Sequence, residues 1–307
     1  MRSLCLPVVA ILAAFAAPAS AHDDWCGYDF TQIGVPNTRN SVDSTGLIDI
    51  NDRREMVGGF VDSSGKNYVL NGGLFKEALQ IPERTVWPQS INNNGEIVGS
   101  AFGRTDRPAF YRDRNGNYTI FNVPNANLTE ALGISNNGYV VGDYRDAAGF
   151  HGFVLRHGSF ETIDAPFPGE TGLVAVNRFK DIVGFTVDAG LGQSFLLSNG
   201  VFTPIAVPGA FLTTVTDIND RGQIVGVYTE TDPRLPTPFR NRGFVWLDGD
   251  VTLIDAPFPG TRFTEPEGIN DRGELVGRVL FSDGRNVGFT AVPRDCGAAA
   301  KPEKKNR

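Results

Sequence analysis

The stretch Gly268-Ile269-Asn270-Asp271-Arg272-Gly273-Glu274-Leu275-Val276-Gly277 occurs in six variants along this chain. The other copies span residues 49–58, 90–99, 133–142, 175–184 and 217–226. Their closing glycines, at positions 58, 99, 142, 184, 226 and 277, are 41, 43, 42, 42 and 51 residues apart. A fixed period of this size indicates a repeat architecture in which each copy forms one supersecondary unit.

Each copy predicts four short antiparallel strands. In the third copy, residues 131–135 run into Asn-Asn-Gly, and both residue types tolerate the positive φ of a tight hairpin turn. Further strands are predicted at 139–144, 151–155 and 160–166. Four strands per unit at this period favour an all-β fold, a six-bladed β-propeller of four-stranded antiparallel blades. We expect the first strand of each blade to be innermost.

The fourth strands of the other copies are predicted at residues 118–124, 202–208 and 251–257. Pro204 lies inside one of them, and proline is tolerated in a sheet mainly on an edge strand. The sixth copy supplies only three strands. Residues 30–36, Phe-Thr-Gln-Ile-Gly-Val-Pro, match residues 202–208, Phe-Thr-Pro-Ile-Ala-Val-Pro, in pattern. The N-terminal strand is therefore predicted to complete the last blade and close the ring.

The ends of the chain predict export. Residues 1–21 contain Arg2, an apolar run and a small-residue cleavage site, as in a secretory signal peptide. We expect the propeller at residues 22–297 and a disordered tail at 298–307. After loss of Cys5 with the signal, Cys26 and Cys296 remain, and in the closed blade both fall beside the N-terminal and last strands. An exported chain with two such cysteines predicts a disulfide.

The repeated elements resemble the bacterial extracellular HAF repeats. The resemblance depends on the six turn motifs, on His-Gly-Phe at residues 151–153 and on Phe-Glu-Thr-Ile-Asp-Ala-Pro at residues 160–166, and it covers residues 28–293. It implies an exported repeat protein and transfers no catalytic residue. Two copies depart from the pattern, because Arg54 replaces the turn glycine and Arg178-Phe179-Lys180 replaces Asp-Arg-Gly. These departures leave the turn type open at both places.

Composition and sequence motifs limit the kinds of ligand and reaction that this chain can support. Without Arg2 the chain has 27 basic and 35 acidic residues, and it has no basic cluster, which argues against nucleic acid as a ligand. No apolar run is long enough for a membrane span. We expect a secreted or periplasmic monomer without a cofactor. A serine-nucleophile elbow, a zinc-peptidase motif, a phosphate-binding glycine loop and an EF-hand loop are all missing from the sequence. The histidines, His151 among them, are too few for a metal site.

One face of the ring is expected to carry a ligand. The turns of the repeated motif share one face, and the longer, more variable loops between second and third strands share the other with the linkers between blades. The fifth blade departs most from the period, with residues 229–242 as a predicted loop. Its candidate ligand-binding residues are Arg234, Phe239, Arg240 and Arg242. The alternative is a tolerated surface loop.

The mouth of the ring offers further candidates. The position five residues before the motif asparagine is Gly46, Trp87, Glu130, Gly172, Thr214 or Glu265. Trp87 is suited to stacking on a sugar or another flat ligand. Glu130 and Glu265 are candidate catalytic carboxylates, with Glu267 deeper on the same strand. The alternative is that they are solvated rim carboxylates beside an aromatic plug.

Taken together, these features favour a binding or interaction module whose ligand is a polysaccharide or another extracellular surface molecule. Two other classes stay open. The first is a carbohydrate hydrolase or lyase that uses the carboxylates at the mouth, and the second is a purely structural envelope or matrix protein. Fold alone does not decide between them.

Overall fold

The computed structural model describes residues 27–33, 44–61, 67–71, 74–231 and 239–294. They form six four-stranded antiparallel sheets arranged as the blades of a propeller, which confirms the predicted fold class. Strand β1 spans Tyr28–Ile33. Blade 1 contains β2 (Ser44–Ile50), β3 (Glu55–Val61), β4 (Asn67–Asn71) and β5 (Leu74–Leu79). Blade 2 contains β6 (Thr85–Ile91), β7 (Ile97–Phe102), β8 (Ala109–Arg112) and β9 (Tyr118–Phe121).

The remaining blades follow the same plan. Blade 3 contains β10 (Leu128–Ile134), β11 (Val140–Arg145), β12 (Phe150–Arg156) and β13 (Ser159–Ile163). Blade 4 contains β14 (Glu170–Val176), β15 (Ile182–Asp188), β16 (Leu191–Ser198) and β17 (Val201–Ile205). Blade 5 contains β18 (Leu212–Ile218), β19 (Ile224–Thr231), β20 (Phe239–Leu247) and β21 (Asp250–Ile254). Blade 6 contains β22 (Thr261–Ile269), β23 (Leu275–Phe281), β24 (Asn286–Pro293) and β1.

The ring closes as predicted. Strand β1 pairs antiparallel with β24 from Tyr28 opposite Pro293 to Ile33 opposite Gly288, so the chain's start supplies the outer edge of the last blade. The Phe30 ring lies 5.3 Å, centroid to centroid, from the buried ring of Phe289. Residues 34–36 of the predicted strand lie outside the described residues, as do both cysteines of the predicted disulfide. The signal peptide and the C-terminal tail lie outside them as well.

The first strand of every blade is innermost. Strands β2, β6, β10, β14, β18 and β22 each contact the next around the axis, and β22 contacts β2. Each of these strands carries a β-bulge, a residue without a ladder partner, at the same position. The bulged residues are Ile48, Gln89, Leu132, Val174, Thr216 and Glu267. A bulge redirects the strand and turns its side chain toward the axis.

The closing glycine of the motif faces this bulge. A Cβ built on Gly142 would lie 1.9 Å from the carbonyl oxygen of Glu130 and 3.0 Å from the ring of Phe153. The corresponding carbonyl lies 2.1–2.4 Å from the built Cβ in the other five blades. The third strands of blades 2 to 6 each place a fully buried phenylalanine in their own blade. Glycine is required here because the second strand passes so close to the first strand's backbone.

The motif asparagine joins each blade to the next. Asn51 accepts the backbone N–H groups of Arg53 and Glu55 on its Oδ1, each at 3.0 Å, and so closes its own turn. Its Nδ2 donates to the backbone oxygen of Asn92 in blade 2 at 3.0 Å. The same interblade bond recurs from Asn92, Asn177, Asn219 and Asn270, and the last reaches back to the backbone oxygen of Asn51. Ser135 replaces this asparagine in blade 3.

The two departing turns keep the same backbone conformation. Arg54 has φ 59° and Lys180 has φ 66°, close to the 77° to 83° of the turn glycines in the other four blades. Both side chains bridge to the preceding blade. The Arg54 guanidinium lies 2.6 Å from Glu274, and the Lys180 ammonium lies 2.9 Å from Glu161. Both departing turns therefore have the same left-handed backbone as the glycine-containing turns. At each of them a basic side chain takes the place of glycine and forms an ion pair with the preceding blade.

The outer strands are shorter than predicted. Strand β13 ends at Ile163, and the N–H of Ala165 donates instead to the Oγ1 of Thr171 in the next inner strand, at 3.0 Å. The same bond from linker to threonine occurs at Thr129, Thr213 and Thr264. The linker phenylalanines pack inward, Phe167 against Phe195 and Phe258 against Phe30. The outer strands therefore end early, because the N–H groups of the linker residues donate to these threonine side chains and not to the neighbouring strand. Among the described residues, no helix is long and apolar enough to cross a membrane.

Candidate functional site at the loop face

Two faces can now be defined. The turn face carries the motif turns, and the loop face carries the loops between second and third strands together with the linkers between blades. Along the axis, a cavity of about 110 Å³ is lined by the bulged residues together with Asp49 and Asp217. A smaller cavity, about 50 Å³, lies toward the turn face among the asparagine turns. Both are of the size that holds ordered water molecules.

The residues predicted at the mouth lie on the inner strands near the loop face. Trp87 in β6 is 49 % exposed, which leaves its indole available for stacking. Glu130 lies in blade 3 and Glu265 in blade 6, on opposite sides of the ring. Each glutamate faces its own cross-strand neighbour, Asp143 for Glu130 and Arg278 for Glu265. The structure therefore gives the two carboxylates different surroundings and does not assemble them as one pair.

Glu265 is held by two neighbours. Its Oε2 accepts from the Nε of Arg278 at 2.6 Å, and its Oε1 accepts from the Nδ2 of Asn241 at 3.0 Å. Arg278 also lies 3.7 Å from Glu267. Hydrogen bonds to both carboxylate oxygens give Glu265 the surroundings of a structural ion pair.

Glu130 has a like-charged neighbour that the sequence did not single out. Asp143, directly opposite it in β11, is 8 % exposed, and its Oδ1 is buried without a hydrogen-bond partner. Burial and the charge of Glu130 raise the pKa of Asp143 to about 7. Burial also raises the pKa of Glu130, while Arg107 opposes the shift. Like charges side by side disfavour ionisation of both carboxyls, and the pKa of Asp143 places its titration near neutral pH. The sequence could have pointed to Asp143, because it directly follows the closing glycine Gly142 and is therefore on the strand that pairs with that of Glu130.

Three further carboxyls line the axis. Burial raises the pKa of Glu267 to about 7, although Arg278 opposes the shift. Burial also raises the pKa of Asp49 and Asp217, and the charge of Asp49 raises that of Asp217 further. Asp49 accepts from the Ser90 hydroxyl at 2.7 Å and from the Ile91 N–H at 2.8 Å. Asp217 accepts only from backbone N–H groups among the described contacts. The axis therefore favours protonated carboxyls.

We expect stability to fall as pH rises through neutrality. A group with a raised folded-state pKa binds a proton that the unfolded chain has already released, so the folded state loses its advantage between the two pKa values. For Glu267 that window runs from 4.5 to about 7. The variant E267Q should match the wild type near pH 4, below the window, and exceed its unfolding free energy by about 3 kcal/mol near pH 8. Urea unfolding at the two pH values measures this difference.

The matched control is D188N, which removes one exposed carboxylate at the end of β15 and touches no axial group. A D188N profile parallel to wild type is expected. If E267Q runs parallel to wild type as well, the axial carboxyl is not the source of the pH dependence.

The insertion in blade 5 is an extended hairpin. Strands β19 and β20 continue the ladder to Thr231 opposite Phe239, so Phe239, Arg240 and Arg242 lie in a strand and not in the predicted loop. A longer hairpin forms because the extra residues keep pairing beyond the usual blade length. Arg234 lies outside the described residues. Arg240 lies 3.0 Å from Asp255, and Arg242 lies 3.2 Å from Glu230, so both arginines are engaged in ion pairs.

An exposed aromatic pair lies at this hairpin. Phe239 is 44 % exposed, and Phe211, from the linker between blades 4 and 5, is 63 % exposed. Their ring centroids are 5.5 Å apart. The N–H of Phe211 donates to the backbone oxygen of Thr229 at 2.7 Å, which fixes the linker against the hairpin. Sequence reasoning missed Phe211 because the pairing of β18 with the extended β19–β20 hairpin brings the linker beside Phe239.

His151, which the sequence analysis judged insufficient for a metal site, lies beside two aspartates. His151 Nδ1 lies 2.9 Å from Asp164 and Nε2 lies 3.5 Å from Asp146. Within the part of the chain that the structure describes, no group of three or more histidine, cysteine or acidic side chains is placed to hold a metal ion.

Comparison with solved structures supports the fold. No protein-family model matches the sequence, and no curated protein matches it. The chain is similar to a gluconolactonase from Xanthomonas campestris at 11 % identity and TM-score 0.55, over 88 % of this chain and 91 % of that one. A TolB-like protein from Agrobacterium tumefaciens is similar at 14 % identity and TM-score 0.55, over 86 % and 97 %.

A third similar structure is the β-propeller domain of the trilobed protease from Pyrococcus furiosus, at 9 % identity and TM-score 0.52, over 86 % of this chain and 84 % of that one. Identities this low transfer no activity, because one fold supports many functions. The chain is a β-propeller module.

Proposed function

We propose that this protein is an exported binding module that recognises a polysaccharide or another extracellular surface molecule through its loop face. The observation that carries the proposal is the exposed pair Phe211 and Phe239 beside the extended β19–β20 hairpin. Large aromatic side chains exposed together on a soluble protein are typical of a contact surface. Trp87 adds an exposed indole on the same face.

The blades supply the rigidity that such a surface needs. Phe211 and Phe239 are attached to backbone held by β-ladders and by the bond from Phe211 to Thr229, so stacking costs little ordering entropy. Arg240 and Arg242 are neutralised by acidic neighbours. The aromatic surface is therefore better matched to an uncharged or weakly charged glycan than to a polyanion.

A polysaccharide panel read by thermal shift, with and without calcium, tests the proposal. A ligand that binds only the folded state raises the melting temperature, and the shift grows with the ratio of ligand concentration to Kd. We expect at least one polysaccharide to produce a shift, and the double variant F211A/F239A to abolish it. Because both rings are exposed, that variant should melt close to wild type without ligand. A panel without any shift, or one that the double variant leaves unchanged, contradicts the proposal.

Export and the HAF-repeat relationship belong to the same proposal. N-terminal sequencing of the mature protein from the producing cell should show cleavage after Ala21. The N–H of Arg294 donates to the carbonyl of Gly27 at 2.9 Å, so the residues flanking the proposed Cys26–Cys296 disulfide run side by side. Mass spectrometry of the unreduced protein detects that bond.

A hydrolase or lyase is the second candidate. The observation that favours it is that half-buried Glu130 lies beside buried Asp143, an acid with a pKa of about 7. An acid that titrates near neutral pH can both donate and accept a proton, as acid–base catalysis requires. The variants E130Q and E265Q should leave carbohydrate affinity intact in a binding protein. In an enzyme that uses these carboxylates they should abolish product formation from the bound polysaccharide.

A further inference from the structure

A groove of about 380 Å³ lies between blades 3 and 4, well away from the loop-face mouth. One wall is the outer strand β13, and the other consists of two turns of blade 4 on the turn face. Its apolar floor includes Ile182, Leu197 and Phe202. Small-molecule sites typically enclose 300 to 1,000 Å³ and combine an apolar lining with a few polar groups. This groove meets both criteria.

An exposed phenylalanine stands at its edge. Phe179 is 61 % exposed, yet it occupies a turn position that is arginine or asparagine in the other five blades. Its N–H donates to the Oδ1 of Asn177 at 3.0 Å, so the turn backbone is fixed. The guanidinium of Arg178 lies 4.6 Å from the ring centroid. Exposure of a large apolar ring to water is unfavourable, so a ligand that covers the Phe179 ring gains hydrophobic binding free energy.

The charged groups around the groove already have partners. Lys180 and Glu161 form an ion pair at 2.9 Å between the two blades, and Asp164 is paired with His151 at 2.9 Å. The remaining polar lining, Thr162 and Asn199, is uncharged. These partners reduce the attraction of the groove for an ionic ligand, whereas a neutral ligand with hydroxyl groups does not depend on an unpaired charge.

We propose that this groove binds one sugar residue of a neutral glycan, with the pyranose ring stacked on Phe179. A pyranose presents a face of C–H groups to the aromatic ring and hydroxyl groups at its periphery. The apolar floor and the uncharged polar rim match these two parts. The site is separate from the proposed loop-face surface. Two sites on one rigid ring would bind a polysaccharide chain, or two adjacent chains, with higher overall avidity than either site alone.

The ring contains an internal comparison. A groove of about 240 Å³ also lies between blades 6 and 1, and Arg54 and Glu274, which form an ion pair, are among its lining residues. The turn position of Phe179 is occupied in blade 1 by Arg53, whose guanidinium lies 2.9 Å from Glu55 and which does not line that groove. An aromatic ring therefore lines the groove between blades 3 and 4 at a turn position where blade 1 has a paired cation.

Titration of the mature full-length protein with cellohexaose, xylohexaose, mannohexaose and maltohexaose tests the proposal, with hexagalacturonate as the acidic probe. Isothermal calorimetry gives the affinities, and saturation-transfer NMR reports contact with aromatic rings. We expect a neutral oligosaccharide to bind, and F179A to weaken it by about 10-fold or more, the typical loss when an aromatic anchor is truncated. R53A is the matched control and should bind as wild type. F179A should retain the wild-type melting temperature.

Three results overturn the proposal. They are no binding of any neutral oligosaccharide, equal binding by F179A and wild type, or binding of hexagalacturonate alone. The loop-face proposal fails separately. Loss of binding in F211A/F239A with no effect of F179A supports the loop face and refutes the groove, and the opposite pattern supports the groove and refutes the loop face.

Discussion

A mature chain that starts at residue 37, and therefore lacks β1, should melt roughly 10 to 20 °C below the intact protein. Removal of β1 takes the buried Tyr28 and the Phe30 contact from blade 6 and exposes the edge of β24. Each lost aromatic side chain costs about 1.5 to 3 kcal/mol, and each lost ladder hydrogen bond about 1 kcal/mol. A total of at least about 5 kcal/mol corresponds to that shift, at 2 to 4 °C per kcal/mol in a domain of this size.

Two controls separate strand loss from its side effects. C26S keeps β1 but removes the proposed disulfide, and a chain ending at residue 297 loses residues of the C-terminal tail alone. Scanning calorimetry should place both above the truncated chain. The truncated chain should also aggregate more readily, since β24 becomes an unpaired edge. Equal melting temperatures for the truncated and intact chains would mean that ring closure contributes little to stability.

The substitution G142A should destabilise the protein by about 3 kcal/mol or more. Its new Cβ would lie 1.9 Å from the carbonyl oxygen of Glu130, and a backbone atom has little freedom to move inside two paired strands. Overpacking commonly costs 1 to 3 kcal/mol even when flexible side chains can adjust. The fully buried Phe153, 3.0 Å from the same built atom, blocks the alternative shift. Urea unfolding of the variant measures the loss.

The matched control is G138A in the turn of the same blade. Gly138 has φ 83° and no atom within 4 Å of a built Cβ, so only the left-handed backbone opposes alanine there, at about 1 to 2 kcal/mol. We expect the two variants to differ by at least about 1 kcal/mol in unfolding free energy. A G142A protein as stable as G138A would show that the bulge carbonyl can yield.

The architecture could be predicted from the sequence because the information is local and repeated. The closing glycine and the hydrophobic residues before it recur six times and the turn asparagine five times, and the pattern shared by residues 30–36 and 202–208 revealed the closure. The ends of the outer strands could not be predicted, since linker N–H groups leave the ladder for a threonine in the next blade, as Ala165 does for Thr171.

The candidate sites were less predictable because they depend on contacts between blades. Trp87 was identified from its position alone, and its exposure agrees with a stacking role. Asp143 and Phe211 were missed, as the surroundings of each depend on the register of paired strands, which places Asp143 opposite Glu130 and Phe211 beside Phe239. The groove beside Phe179 likewise requires two adjacent blades at once. A pattern within one repeat does not contain such information.

The asparagine bonds between blades have a consequence for how repeats are gained or lost in evolution. Five of the six turns bond through this asparagine to the turn of the following blade, and among these the turn of blade 6 returns to that of blade 1, from Asn270 to Asn51. In an open solenoid a duplicated unit extends the array and leaves existing junctions intact. In this closed ring a seventh copy would alter the angle at every junction between blades. Sequence insertions are therefore expected within single blades, as in the extended hairpin of the fifth blade.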